Sequence, residues 1–532
     1  MTDQARIHRN IFSWALAASV AGVMGCRTNV DDVHRWANTQ QGPRKIVAVM
    51  THDKYPDDLR IEAAMTLVRM KPRSGRRVGI DELTTALGTL PAPSRTKIVT
   101  GMVPVLEKEI DKSPPPEPAP PAPREVDTSF PYKDAAFALL TSEGDKLVTN
   151  DAERQRLKSA LTRWVMADFS ARMDDSSQAY GMGQVLADLG PDGVRRLPEL
   201  IVPEAKKIGS ITGFIADLGD APTKLEASER LVKVAREVDS PGWLARKAPL
   251  LKQANEASGY KVDGPRFDEQ LALYQEEELL RVLASLKQIG QAPAVDYLLG
   301  FASDKSHSEK RREAALAAME GHVDRKNDKQ IAGLFALVSA EDTPDSVRDQ
   351  ALRRIGELPR KSVVDSLYGL FSHKNWKVRW VAAELVLKMS EVAQLDEFMN
   401  RLGSVREMAI TEPIRYGKLI AGLQGSPPVR DVITKYAAAP RPAPIRLTAL
   451  GYYLDQATKD QLATLEPYAV DTTRVPECAK GAEGCEWRCE ITSEGQQVVK
   501  SVGTIGDFVQ YCVKPAVAER ATDTTSAKSA RN

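Results

Sequence analysis

Apolar residues return three and four positions apart from Gly42 to about Ile110, and again from about Tyr132 to Val470, with polar residues filling the opposite face. That spacing predicts helices along nearly the whole chain. In the second half the helices carry a shared mark. Arginine stands at Arg281, Arg311, Arg348, Arg379, Arg415 and Arg446, and in five of the six alanine follows three residues later. The intervals are 30, 37, 31, 36 and 31 residues. Self-similarity at about 33 residues predicts stacked two-helix units, none of which buries its apolar face alone. The expected fold class is therefore mainly α, an α-solenoid of helix pairs.

The clearest copies read Val347-Arg348-Asp349-Gln350-Ala351, Val378-Arg379-Trp380-Val381-Ala382 and Ile445-Arg446-Leu447-Thr448-Ala449, with another far upstream at Leu59-Arg60-Ile61-Glu62-Ala63. Alanines on one helical face admit a close neighbour, while leucine, valine and isoleucine fill the seam. The arginine flanks that seam, where its guanidinium is expected to reach water or an acidic group on the next repeat. Pro56, Pro344, Pro413 and Pro444 precede such helices, where a missing N–H costs nothing. These segments resemble the second helix of the HEAT repeat, and the resemblance covers about half of the chain. It implies HEAT-like helix pairs with Arg60, Arg281, Arg311, Arg348, Arg379, Arg415 and Arg446 as signature positions. Two copies depart from the pattern, with Lys310 before Arg311 and Lys418 in place of the alanine after Arg415. A second echo, Val185 to Gly190 and Phe214 to Gly219, suggests degenerate repeats there too.

The helical period breaks twice. Ser113 to Pro123 holds too many prolines for a helix interior and reads as a polyproline II spacer, expected to separate a small N-terminal domain from the main body, the alternative being a long surface loop inside one solenoid. Near the end the period becomes two: Glu486 to Ile491, Gln497 to Val502 and Thr504 to Cys512 predict three short strands. Four of the five cysteines, Cys478, Cys485, Cys489 and Cys512, lie in this piece and predict two disulfides, with three connectivities open. A zinc site is the alternative, against which stand the C-x6-C and C-x3-C spacings. The module is expected to close the open end of the solenoid, or else to bind a partner through Trp487, Phe508 and Tyr511. A polar, disordered tail is expected after it.

The first 26 residues follow a different logic. Arg6, His8 and Arg9 precede an apolar run from Ile11 to Val23, and then Met24-Gly25-Cys26. This resembles a bacterial lipoprotein signal, which implies lipidation of Cys26 and cleavage before it. In that family Arg27, standing where aspartate would retain the protein at the inner membrane, favours the outer membrane. The full chain carries +1 with histidine neutral; removing residues 1–25 removes Arg6, Arg9 and Asp3 and leaves zero, which argues against nucleic acid as a partner. One local exception, Arg69, Lys71, Arg73, Arg76 and Arg77, is a candidate patch for an anionic partner and otherwise a solvated loop.

No phosphate loop, nucleophile elbow or HExxH helix is present, and the six histidines are scattered. Neither catalysis, a cofactor nor a metal is expected. His52-Asp53 reads as a surface turn, and Glu276-Glu277-Glu278 as a helix start. The expected layout is a signal peptide at 1–25, an N-terminal helical HEAT-like region at 26–112, a Pro-rich linker at 113–127, the solenoid at 128–470, a Cys-containing β module at 471–516 and a tail at 517–532. The expected function is a lipid-anchored envelope scaffold that holds protein partners. Its alternatives are a spacer presenting the C-terminal module and, less favoured, a HEAT-like lyase-type enzyme.

Overall fold

The computed structural model describes residues 28–73, 75–113, 127–142, 147–167, 182–205, 207–261, 263–403, 410–423, 427–475, 486–493 and 496–520. The expectations for Cys26, Cys478, Cys485 and the tail after Arg520 lie outside them. The chain divides into two compact units, Met1–Ile289 and Gly290–Asn532.

The first unit opens with the short helix Val30–Trp36, and helix pairs follow. Gly42–Thr51 packs on Asp57–Arg69 and Phe130–Thr141 on Asp151–Ala167, with Val78–Thr89 and Ala92–Ile110 following each other between them in the chain. First helices pack on first helices and second on second, so one apolar seam runs through all three pairs. On Ala92–Ile110 the seam buries Ile98, Val99, Met102, Val103 and Leu106. Helices on either side of 114–126 pack on one another, Ala92–Ile110 against both Phe130–Thr141 and Asp151–Ala167. Arg77 reaches the fully buried Asp134 at 2.8 Å, and Arg163 reaches Asp111 at 3.0 Å. Apolar burial between successive pairs holds them together whatever conformation joins them.

Further on, Ile208–Leu218 and Ala221–Val238 pack against the 25-residue helix Pro265–Ile289. The two echo segments end neighbouring helices, Met182–Leu189 and Ile208–Leu218, each followed by glycine. Glu276 to Glu278 lie mid-helix and do not start one; Glu278 is buried, accepting the Glu204 N–H at 2.9 Å and pairing with Arg281 at 2.6 Å.

In the second unit Ala292–Ser303 packs on Glu309–Ala318, Asp328–Ser339 on Asp345–Gly356, Arg360–Gly369 on Trp376–Lys388, and Pro427–Thr434 on Ala443–Gln456, while Leu395–Leu402 lies against Pro427–Thr434 and Thr411–Leu423 against Trp376–Lys388 and Ala443–Gln456. Polar links between successive pairs repeat the sequence period. Gln330 donates to Asp296 at 2.7 Å, Lys374 to Glu341 at 2.8 Å, Lys377 to Asp345 at 3.0 Å and Arg360 to Glu397 at 2.7 Å, spans of 34, 33, 32 and 37 residues. The closest approach joins Thr411–Leu423 to Ala443–Gln456. There Gly417 faces the Thr448 carbonyl and Gly451 the Ile414 carbonyl, with no room for a Cβ at either.

A final pair closes this stack. Leu462–Ala469 packs against the run Ile505–Phe508, Val509–Val513 and Lys514–Arg520, and both Val509–Val513 and Lys514–Arg520 also cover Ala443–Gln456. Between the two halves of that pair stands a hairpin, β1 Arg488–Ser493 and β2 Gln496–Ser501, antiparallel with Arg488 opposite Ser501. The expected third strand is absent from the described residues, and the expectation is corrected: Thr504 to Cys512 is helical. Ile505, Phe508, Val509 and Cys512 fall at i, i+3, i+4 and i+7, and all four are buried. Thr504 and Asp507 form a capping box at the start. A disulfide joins Cys489 on β1 to Cys512, Cα to Cα 5.4 Å.

Candidate interaction surface

The signature arginines resolve into one geometry once helix starts are known. Arg60, Arg312, Arg348, Arg379 and Arg446 are each the fourth residue of a second helix, beginning at Asp57, Glu309, Asp345, Trp376 and Ala443. All are at most 8% exposed. The Nε of Arg60 donates to the Met50 carbonyl at 2.9 Å, Arg312 to Ala302 at 2.7 Å, Arg348 to Val338 at 3.1 Å and Arg446 to Ala437 at 2.9 Å. These carbonyls end the preceding helix or lie just past it, where backbone acceptors lack intrahelical donors and the dipole is negative. The arginine thus caps the first helix of its own pair. Arg379 does the same from Nη1 toward His373 and Lys374, the latter at 3.0 Å, while its Nε and Nη2 grip Glu412 of the next second helix, Nε at 2.8 Å.

Three expected signature positions depart from this. Arg311 is third in its helix, and the capping role belongs to its neighbour Arg312. Arg415 is fifth in Thr411–Leu423 and exposed; Ile414 holds the fourth place. Arg281 lies deep in Pro265–Ile289 and pairs with Glu278. A shift of one residue turns a helical side chain by about 100°, enough to move it out of the seam.

The candidate anionic-partner patch is largely spent on the protein itself. Arg69 bonds Glu62 at 2.6 Å, Arg73 donates to the Thr39 and Gln40 carbonyls at 2.8 and 3.2 Å, Arg76 pairs with Asp81 at 3.1 Å and Arg77 with Asp134. Lys71 is exposed. One cluster had no sequence signal: Lys133 and Asp134 are fully buried, 2.6 Å apart, with Lys133 over the Trp164 ring. His52 and Asp53 are both exposed, and Asp53 pairs with Arg60 at 3.0 Å.

At the closed end of the second unit aromatic and cationic side chains come together, Trp376 and Arg415 exposed and Trp380, Lys418 and Trp487 half-buried. Trp376 is 45% exposed, and the Arg415 guanidinium lies 5.9 Å from its ring centre. Trp380 stacks on the buried Tyr416, centroids 5.5 Å apart and planes 12° apart. Burial and the nearby Glu412 carboxylate push the Tyr416 phenol well up. Lys418 sits 5.7 Å over Trp487, which meets Phe508 edge-on at 6.1 Å. Of the three aromatic residues through which the Cys module would bind a partner, Trp487, Phe508 and Tyr511, Phe508 is fully buried in the closing pair.

No protein-family model matches the chain, and no curated protein matches it. Among solved structures it is similar to Kap121p at 10% identity and TM-score 0.27, over 97% of this chain and 58% of that one. Importin beta gives 12% identity and TM-score 0.21, over 82% and 60%. The C-terminal fragment of the Chaetomium thermophilum cohesin loader SCC2 gives 13% and 0.22, over 84% and 46%. The chain thus spans about half of those chains, and scores this low carry no functional weight. Among the described residues no helix is long and apolar enough to cross a membrane, and no group of three or more histidine, cysteine or carboxylate side chains is placed to hold a metal.

Proposed function

We propose that the protein is a non-catalytic binding scaffold, tethered to the cell envelope through a lipid on Cys26 and holding protein partners on the outer surface of its helix pairs. The observation that carries this reading is the stack itself. Arginines such as Arg348 cap helices, polar groups such as Lys374 link one repeat to the next, and Gly417 and Gly451 admit a neighbouring helix, so the helices of each unit keep an exposed face of their own. The resemblance to HEAT repeats supports protein as the partner class. The signal-like segment supports the tether, and Arg27 favours the outer membrane. The test is recovery of full-length protein from gently crosslinked envelopes, with Cys26→Ala as the untethered control. A reproducible protein partner, and movement of the Cys26→Ala chain out of the membrane fraction, are the expected results. Recovery of the protein alone would overturn the scaffold, and an unchanged membrane fraction would overturn the lipid tether.

A further inference from the structure

Trp376 and Trp380 are one turn apart on the helix Trp376–Lys388, and Arg415 and Lys418 one turn apart on its neighbour Thr411–Leu423. Each of these cations is held against a ring, Arg415 over Trp376 and Lys418 over Trp487. The group is therefore a continuous stripe across two second helices and the closing hairpin. We infer that this stripe is a docking site for an acidic, apolar-interspersed segment of a partner protein, lying extended across it; this rests on the scaffold reading above.

Charge carries the choice of occupant. Glu412, beneath the stripe, is taken up by Arg379, and Asp345 by Lys377. Asp455 stands 3.7 Å from Lys418. Among the described residues no carboxylate lies within ion-pair distance of the exposed Arg415. A guanidinium lying over an indole is oriented and partly dehydrated, with N–H groups left to bind a carboxylate in forked fashion. One ring face on each tryptophan is already covered by a cation or a tyrosine, which disfavours a stacked sugar. Exposed tryptophan and arginine are also the side chains that most often dominate protein interfaces.

The test uses full-length protein and three labelled eight-residue peptides in which leucine alternates with glutamate, glutamine or lysine, read by fluorescence anisotropy. The glutamate peptide is expected to bind at least about tenfold more tightly than the other two, and to weaken between about 0.05 and about 0.5 M salt. Arg415→Glu, at an exposed position, and Trp376→Ala are each expected to weaken it about tenfold or more, with circular dichroism unchanged. Equal binding of the glutamate and glutamine peptides would overturn the inference. So would unaltered binding by Arg415→Glu, or binding of phosphatidylglycerol vesicles in place of the peptide. A partner captured from envelopes that still binds Arg415→Glu would leave the scaffold standing and remove the stripe.

Discussion

Arginine at the fourth position of a second helix does local work. Its guanidinium closes the end of the helix before it, so its removal leaves buried carbonyls without donors, at about 1–3 kcal/mol each. Arg312→Ala is expected to lower stability by about 2 kcal/mol, whereas Arg311→Ala next to it costs about 0.5 kcal/mol or less, both read by urea denaturation. Equal losses would remove the assignment of the cap to Arg312. Lysine does not substitute, because one ammonium on a flexible stem lacks the fork by which Arg348 reaches Val338, Ala340 and Asp345 together. A second residue-scale expectation concerns acid. Glu107 joins Ala92–Ile110 to Asp151–Ala167 through Arg156 and Arg163, and the hydrogen bond from Arg156 is the main cause holding its carboxyl below the usual range. The unfolded pKa of about 4.3 is thus the higher one, so the stabilisation is present above it and is lost as pH falls through the folded value. Glu107→Gln is expected to narrow the difference in urea midpoint between about pH 6 and about pH 3.

At the scale of elements, contact between helices decides more than propensity does. Gly417 and Gly451 let two second helices meet backbone to backbone. Gly417→Ala adds a Cβ against the Thr448 carbonyl oxygen, and despite alanine's better helix propensity is expected to destabilise by about 1–3 kcal/mol. A gain in melting temperature would refute that account. The closing pair gives a similar lesson. Thr504 to Cys512 carries β-branched and aromatic residues, and read alone they suggest a strand. Yet the i, i+3, i+4, i+7 placement of Ile505, Phe508, Val509 and Cys512 fits a helix against Leu462–Ala469 and Ala443–Gln456, and the apolar surface buried there wins. The Cys489–Cys512 bridge closes a loop of 23 residues, so its loss is expected to cost about 3 kcal/mol, read as a lower melting temperature for Cys489→Ser.

On the scale of the molecule, a stack in which each pair touches only its neighbours transmits damage over short range. Gly417→Ala is expected to speed amide hydrogen exchange in Trp376–Lys388, Thr411–Leu423 and Ala443–Gln456 while leaving the helices between Gly42 and Ile110 as protected as before. Uniformly faster exchange would mean one cooperative body instead of two units. Much of this architecture was legible in the residues alone. Periodic apolar spacing and the arginine interval near 33 residues are local properties, so the helices and their stacking followed from them, while the period of two near the end gave two of its three expected strands. The arginine register and the path of Thr504 to Cys512 were decided in three dimensions, since each depends on which carbonyl, carboxylate or apolar face a distant helix presents. The same holds for the Trp376, Arg415, Lys418 and Trp487 stripe. Its members are separated by up to 111 positions in sequence, and only the stacking of one pair on the next brings them to one surface.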